Sequence, residues 1–247
     1  MSDRPTMTML LHGESGVGKS WLADTAPGPR LVIDVEGRAK HTPSGPKIWW
    51  DPIAQAPPEA PVDGNWETCI VNANKFSVLP RVYDWLRSGQ HPFKSAIVDS
   101  LMEAQKRWVD EQIGDQQMKT QDWGSILRAL ESFVRNMRDI VSYDDAHLDV
   151  VVIVTGSVPD DRGVARPLLQ GQLKGTVPYY TDVVGWYTVQ PDVQDPTQMQ
   201  RVLNVGPTAW AVAKDGTGKL GGPVIENPNL TELFARLQPI TAERTAA

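Results

Sequence analysis

The sequence predicts an α/β fold, a mainly parallel central sheet flanked by helices and followed by a C-terminal β-hairpin. Three observations predict it. Apolar, β-rich runs recur at residues 6–11, 30–35, 93–100 and 149–154, each the length of a strand buried on both faces. Helical spacing separates them, most clearly in the stripe Ile126, Leu130, Phe133, Val134, Met137, Ile140 and Val141. Finally, a glycine-rich loop joins the first apolar run to a helical segment and then to a second run, which makes a βαβ unit with its ligand at the carboxyl ends of the strands.

That loop is the most specific feature of the chain. Gly13, Gly18, Lys19 and Ser20 fit the phosphate-loop pattern G-x-x-x-x-G-K-[ST], between a strand and a helix as the pattern requires. Glycines let backbone N–H groups turn inward around phosphate oxygens, and the helix that follows presents its positive end. Gly13, Glu14, Ser15, Gly16, Val17, Gly18, Lys19 and Ser20 are thus the candidate cradle for a nucleoside triphosphate. Lys19 is expected at the β- and γ-phosphates and the Ser20 hydroxyl on Mg²⁺. The Glu14 side chain has to point away from the phosphates.

At 247 residues the chain is expected to form a single domain over residues 1–240, with a loose tail at 241–247. A net charge of -6 supplies no global basic field, so any nucleic-acid contact needs a local patch or an assembly. The single cysteine, Cys69, sits in an apolar run and reads as a buried structural thiol, without a disulfide framework. The start of the chain lacks the apolar core of a signal peptide and no run is long enough to span a bilayer, so a soluble, cytoplasmic protein without a membrane partner is expected.

Along the chain, the first helix begins at Lys19 and stops before Pro27, and the strand at 30–35 delivers Glu36 to the ligand edge. Residues 41–66 hold six prolines and read as an exposed excursion, with a short strand near residues 47–50. A short strand at 68–71 and a helix at 77–88 ending at Gly89 return the chain to the sheet. The strand at 93–100 ends in Asp99, which can hold Mg²⁺ opposite Ser20 or cap the next helix. That helix, 101–113, directs Leu101, Trp108 and Val109 inward. Residues 114–124 form a polar, mobile loop before the long helix, whose Arg128, Arg135 and Arg138 lie on its solvated face. After the strand ending at Thr155-Gly156-Ser157, residues 158–180 read as a long mobile loop. A strand at 182–189 pairs across a proline-rich turn with 201–205; residues 210–213 add an edge strand, 214–222 a flexible loop and 230–237 a short helix.

With these pieces in place, the chain resembles the RecA-like P-loop NTPases, and more closely the short bacteriophage RecA-like proteins of single-strand annealing and recombination. The resemblance rests on the phosphate loop, Val32-Ile33-Asp34-Val35-Glu36-Gly37 and Ala96-Ile97-Val98-Asp99-Ser100, with Gln121-Asp122-Trp123-Gly124 and Thr181-Asp182-Val183-Val184 in support. It implies ATP and Mg²⁺ as ligands and ATP hydrolysis as the activity. Glu36 would polarise the attacking water with Lys19 on the phosphates, since phosphoryl transfer depends on an oriented nucleophile. It also implies single-stranded DNA as partner, a homo-oligomeric ring or filament, and an association with a single-strand DNA-binding protein. The DNA-facing loops would be residues 114–123, with Lys119 and Trp123, and residues 158–180, with Arg162, Arg166 and Lys174. Tyr179 and Tyr180 are further stacking candidates. Arg166 or Lys174 would act in trans on a neighbouring subunit's nucleotide. RecA proper carries a γ-phosphate-sensing glutamine where this chain has Thr155 and Ser157, so these two hydroxyls are the candidate sensors. Two other readings of the same residues are a nucleotide-dependent binding or escort module with weak hydrolysis, and a RecA-like helicase or packaging motor core.

Overall fold

The computed structural model of the chain describes residues 4–192 and 194–238. Strand β1 (Met7–Gly13) is buried along its whole length, and its side chains alternate between the two faces of the sheet. Leu10 joins the core on one face; Met7, Met9 and Leu11 join the core on the other. The start of β1 is pinned by Asp182, whose Oδ2 accepts the Thr8 N–H at 2.9 Å and the Thr8 hydroxyl at 2.7 Å. Helix α1 (Lys19–Ala23) has only five residues and ends ahead of Pro27. Strands β2 (Arg30–Asp34), β3 (Lys47–Trp49), β4 (Thr68–Asn72) and β5 (Ser95–Asp99) are separated by the excursion and by helix α2 (Val78–Arg87).

Helices α3 (Leu101–Gln112) and α4 (Thr120–Ile140) cover one face of the sheet. The expected stripe of α4, from Ile126 to Ile140, is buried in the core there, and Arg128 and Arg135 are exposed. The remaining elements are β6 (Val150–Pro159), β7 (Ala165–Pro167), α5 (Leu173–Tyr180), β8 (Val183–Pro191), β9 (Met199–Asn204), β10 (Lys214–Asp215), β11 (Val224–Glu226) and α6 (Leu230–Ala235).

The sheet order is β11-β9-β8-β1-β6-β5-β2-β4-β3. Pairing is parallel from β3 through to β8 and antiparallel where β9 joins β8 and β11 joins β9. Helices α2 to α5 pack on one face; α1 and α6 pack on the other. This is the expected α/β architecture, a mainly parallel sheet flanked by helices, with the predicted C-terminal hairpin formed by β8 and β9.

Several expectations about loops are corrected. The excursion at 41–66 is anchored rather than simply exposed: Trp50 and Trp66 are buried, with ring centroids 6.0 Å and 6.2 Å from that of Phe93. Apolar area at two tryptophans outweighs the proline-rich text between them. The segment at 114–124 is loop only as far as Lys119, because helix α4 begins at Thr120, where the Asp122 carboxylate accepts the Lys119 N–H at 2.7 Å. Residues 158–180 form a hairpin of β6 with β7 and then helix α5, rather than an unstructured loop. Residues 210–213 make one isolated bridge, Ala165 to Ala211, and the strand beside β8 is β10 instead. In the loop after β10, Asp215 Oδ1 accepts N–H groups from Thr217 and Gly218, which ties down glycines expected to be flexible. The tail expected at 241–247 lies outside the described residues.

Among the described residues no helix is long and apolar enough to cross a membrane. The Phe93 cluster yields a stability prediction: Phe93→Ala, at a site 1% exposed, is expected to cost about 3–5 kcal/mol in denaturant unfolding. Tryptophan fluorescence of Phe93→Ala should shift to the red as Trp50 and Trp66 lose their shared partner.

Candidate nucleotide site

The site lies where β2, β5, β6 and β1 end. Asp34, Asp99 and Val154 are paired in register across neighbouring strands, and Leu11 of β1 pairs with Val154 from the other side. The residues just past this row line a cavity of about 760 Å³ that includes Gly16, Lys19, Ser20, Glu36, Asp99 and Ser157. That volume is in the range of small-molecule and cofactor sites.

The phosphate loop is shaped by close approach and by backbone conformation. A Cβ at Gly13 would lie 2.3 Å from the Tyr187 carbonyl oxygen, so only glycine lets β8 pass there. Gly18 has φ +98°, and a Cβ on it would lie 3.2 Å from Arg201 Nε. Lys19 folds over the loop, with Nζ donating to Gly13 O at 3.1 Å and Glu14 O at 2.7 Å. Burial lowers its pKa, while Asp99, Glu36 and Glu14 act in the opposite direction. With five residues, α1 carries a smaller aligned dipole than a long helix, so the positive field here comes from loop N–H groups and cations.

The acids are arranged in sequence along the edge. Asp34 Oδ1 accepts the N–H groups of Gly37 at 2.8 Å and Arg38 at 3.1 Å, and Oδ2 that of Ala39 at 2.9 Å. This cage fixes the turn that carries Glu36. Ser100 donates its hydroxyl to Glu36 Oε1 at 2.6 Å and accepts the Glu103 N–H as the N-cap of α3. The capping role considered for Asp99 therefore falls to its neighbour. Asp99 is 7% exposed, and burial pushes its carboxyl up to about 6 even though the Ser20 hydroxyl is bonded to it; Glu36 and Asp34 push it the same way. A buried carboxylate facing a serine hydroxyl, with two more acids nearby, is a favourable seat for a hard cation such as Mg²⁺.

Thr155 and Ser157 both line the cavity. The Thr155 hydroxyl donates to Leu168 O at 3.2 Å, and Ser157 Oγ lies 2.6 Å from Nδ1 of the buried His12. Lys119, Trp123, Arg162, Arg166 and Lys174 do not line the cavity. Arg166 is committed to Asp160, with Nε 2.6 Å from the carboxylate. Lys119, Arg162 and Lys174 are exposed, Trp123 is 40% exposed and Tyr179 is 83% exposed. Helices α4 and α5 pack together, with Leu127 of α4 against Gly171 in the turn ahead of α5, so Trp123 and Lys174 belong to one helical layer. Tyr180 is held within that layer by its hydroxyl on Glu131.

Sequence reasoning missed Arg201. From β9 it reaches the loop, its Nε donates to Val17 O at 3.3 Å, and it lines the cavity. Its contact is with a residue 184 positions away along the chain, so only strand pairing reveals it. Asp34 and Ser100 were also missed; the spacing from Asp34 to Gly37 in Asp-x-x-Gly was the available signal for a turn.

Comparison with known protein families matches residues 6–217 to the AAA domain. The chain belongs to that family. It is thus an AAA domain, built around a phosphate loop on a mainly parallel sheet. Among solved structures, a KaiC-like protein from the hyperthermophilic archaeon Pyrococcus horikoshii is similar at 13% identity, with a TM-score of 0.42, covering 80% of this chain and 77% of that one. A search of curated proteins found no match. The family match spans the phosphate loop, the Glu36 turn, Asp99 and the hairpin bearing Arg201.

In this AAA domain Asp99 makes stability depend on pH. Its folded pKa of about 6 lies above the ordinary 3.8, so the native state binds the extra proton between those values. Stability falls as pH rises through that window and stays lower above it. Asp99→Asn should match the wild type at about pH 3 and exceed it by on the order of 2–3 kcal/mol at neutral pH. Denaturant unfolding without nucleotide or Mg²⁺ checks this.

Proposed function

We propose that this AAA domain binds ATP with Mg²⁺, hydrolyses it, and acts on single-stranded DNA in recombination or annealing. The observation that carries the first part is the meeting of Lys19, the Ser20–Asp99 pair and Glu36 in one cavity at the mouth of a phosphate loop. The set fits the proposed ligands: the loop offers N–H groups without side-chain obstruction at Gly16, and Ser20 with Asp99 offers oxygen ligands. Among the described residues no group of three or more His, Cys, Asp or Glu could hold a metal ion, so the proposed ion would need phosphate and water for its remaining ligands. Bound Mg²⁺ supplies charge neutralisation at the phosphates.

The protein groups divide the work. Lys19 leaves the Gly13 and Glu14 carbonyls for the phosphate oxygens. Glu36, held at Oε1 by Ser100, has its second oxygen to accept a proton from water. Arg201 brings a second cation to the loop in cis. In an oligomer, Lys174 is the better candidate than Arg166 for a charge supplied to a neighbouring subunit's nucleotide, because Arg166 is already paired. Single-stranded DNA would run along the α4–α5 layer, stacking on Trp123 and Tyr179 with Lys119 and Lys174 on its phosphates.

ATP turnover with and without single-stranded DNA tests the reading. Lys19→Ala and Glu36→Gln are expected to lose at least about a hundredfold in kcat, the scale of a positioned proton acceptor or charge. Unchanged turnover in Lys19→Ala would reject the ATPase assignment, and normal Glu36→Gln would reject that choice of base. Arg201→Ala should weaken ATP binding about tenfold, the scale of one charge-assisted hydrogen bond, as read by equilibrium titration. DNA affinity should fall with salt, and Lys119→Ala or Lys174→Ala should each lower the log–log slope by about one. Tight nucleotide binding without turnover would assign the protein to nucleotide-dependent binding instead.

A further inference from the structure

His12 stands one residue before the phosphate loop and is fully buried. Both of its ring nitrogens are engaged, Nε2 2.7 Å from Val212 O and Nδ1 2.6 Å from Ser157 Oγ. A carbonyl oxygen has no proton to give, so Nε2 carries the ring proton and donates to Val212. Burial, opposed by the bond to Val212 and aided by the nearby Lys19 ammonium, lowers the imidazole pKa to about 4 and holds the ring neutral. Nδ1 therefore bears a lone pair, and Ser157 must be the donor. A hydroxyl has one proton, and that of Ser157 is spent on His12. What Ser157 turns towards the cavity is lone pairs alone.

Phosphate oxygens at neutral pH are chiefly acceptors and make poor partners for such a group, whereas water has protons to donate. We propose that His12 is a positioning residue which, by taking the Ser157 hydrogen bond, makes Ser157 an acceptor that aligns the attacking water together with Glu36. Glu36 follows β2 and Ser157 lies in β6, with β5 alone between them. By register Glu36 lies two residues past Asp34 and Ser157 three past Val154; their strands are two interstrand steps, about 10 Å, apart, and both residues line the same cavity. In the step, the water oxygen bonds to the γ-phosphorus and the bond from phosphorus to the β,γ-bridging oxygen breaks, its electron pair leaving on ADP. One water proton passes to Glu36; the other remains on the new phosphate hydroxyl, facing Ser157. The proposal thus gives Ser157 a role on the nucleophile where the resemblance implies a γ-phosphate sensor. Val212, which anchors His12, is itself tied to the β6–β7 hairpin through its N–H to Ala165 O at 2.9 Å. The inference rests on the ATPase reading above.

The test compares full-length wild type, Ser157→Ala, His12→Gln, His12→Leu and the double variant His12→Leu/Ser157→Ala, reading kcat and the Kd values of ATP and ADP with Mg²⁺. Ser157→Ala should lower kcat about tenfold and leave ATP affinity within about twofold, because a water contact and not a phosphate contact is lost. In His12→Leu the Ser157 proton is released to turn towards the γ-phosphate. Its kcat should fall similarly while ATP, but not ADP, binds about five to ten times more tightly, and that gain should vanish in the double variant. His12→Gln has an amide oxygen for Ser157 and an amide N–H for Val212, so it should stay within about threefold of wild type. Loss of ATP affinity in Ser157→Ala with kcat unchanged would overturn the proposal, and that arm stands even if His12→Leu fails to fold. So would a His12→Leu protein, folded by circular dichroism, whose ATP-to-ADP preference is unchanged or whose defect is the same with and without Ser157. Failure of the ATPase reading itself would appear differently, as turnover absent from wild type or unaffected by Lys19→Ala.

Discussion

One row of residues across the sheet, Asp34, Asp99, Val154 and Leu11, is the constraint on which the site depends. In a parallel sheet all strands run the same way, so their carboxyl ends share an edge, and a common register sets corresponding residues side by side. Past Asp34 comes the turn with Glu36; past Val154 come Thr155 and Ser157; past Leu11 come His12 and the loop. A one-residue slip of β5 would turn Asp99 to the opposite face and separate it from Ser20. The register is secured by apolar residues on both faces, since β1, β4, β5 and β6 are buried over most of their length.

The edge gathers like charges that folding alone would not choose. Asp34, Glu36 and Asp99 lie together, and Asp99 is kept there although burial favours its neutral form. Asp34 meets its needs with three backbone N–H groups and so serves as structure. Asp99 has the Ser20 hydroxyl, an arrangement that a cation would complete. His12 is the counterpart on the next strands, a histidine kept neutral by burial. Its Nε2–H donation to Val212 and its acceptance from Ser157 make the two hydrogen bonds mutually dependent. The cost of unusual protonation is concentrated where a ligand would act, and the surrounding core supplies the stability that tolerates it.

The outer parts of the fold bear on the site through contacts of long sequence separation. Hairpin β8–β9 carries Arg201 to the loop, and the Tyr187 carbonyl of β8 is what requires glycine at position 13. The proline-rich excursion is held by Trp50 and Trp66 around Phe93, beyond the edge of the parallel core. Its Ser44 N–H also reaches the buried Asp24 carboxylate at 2.7 Å, linking it to the end of α1. Helices α4 and α5 form a separate layer whose exposed aromatic and cationic residues sit away from the cavity.

The sequence by itself determined the fold class, the phosphate loop and the placing of Glu36 and Asp99 at the ends of strands, because each is encoded locally. A short apolar run, a glycine pattern and an acid at the end of a strand are legible within a dozen residues. Helix α4 was legible for the same reason, from the period of its apolar stripe. Its first turn is not legible in the same way, since polar residues at a helix start carry little periodic signal. The interval from 158 to 180 lacks a local signal as well: β7 is only three residues long and exists by pairing with β6. Only the tertiary structure decided that Arg201 belongs to the phosphate loop, that Ser100 and not Asp99 caps α3, and that His12 takes the Ser157 proton. Those relations join residues far apart in the chain or choose between neighbours of similar chemistry. Sheet order and register settle them, and no local pattern of residue types records either.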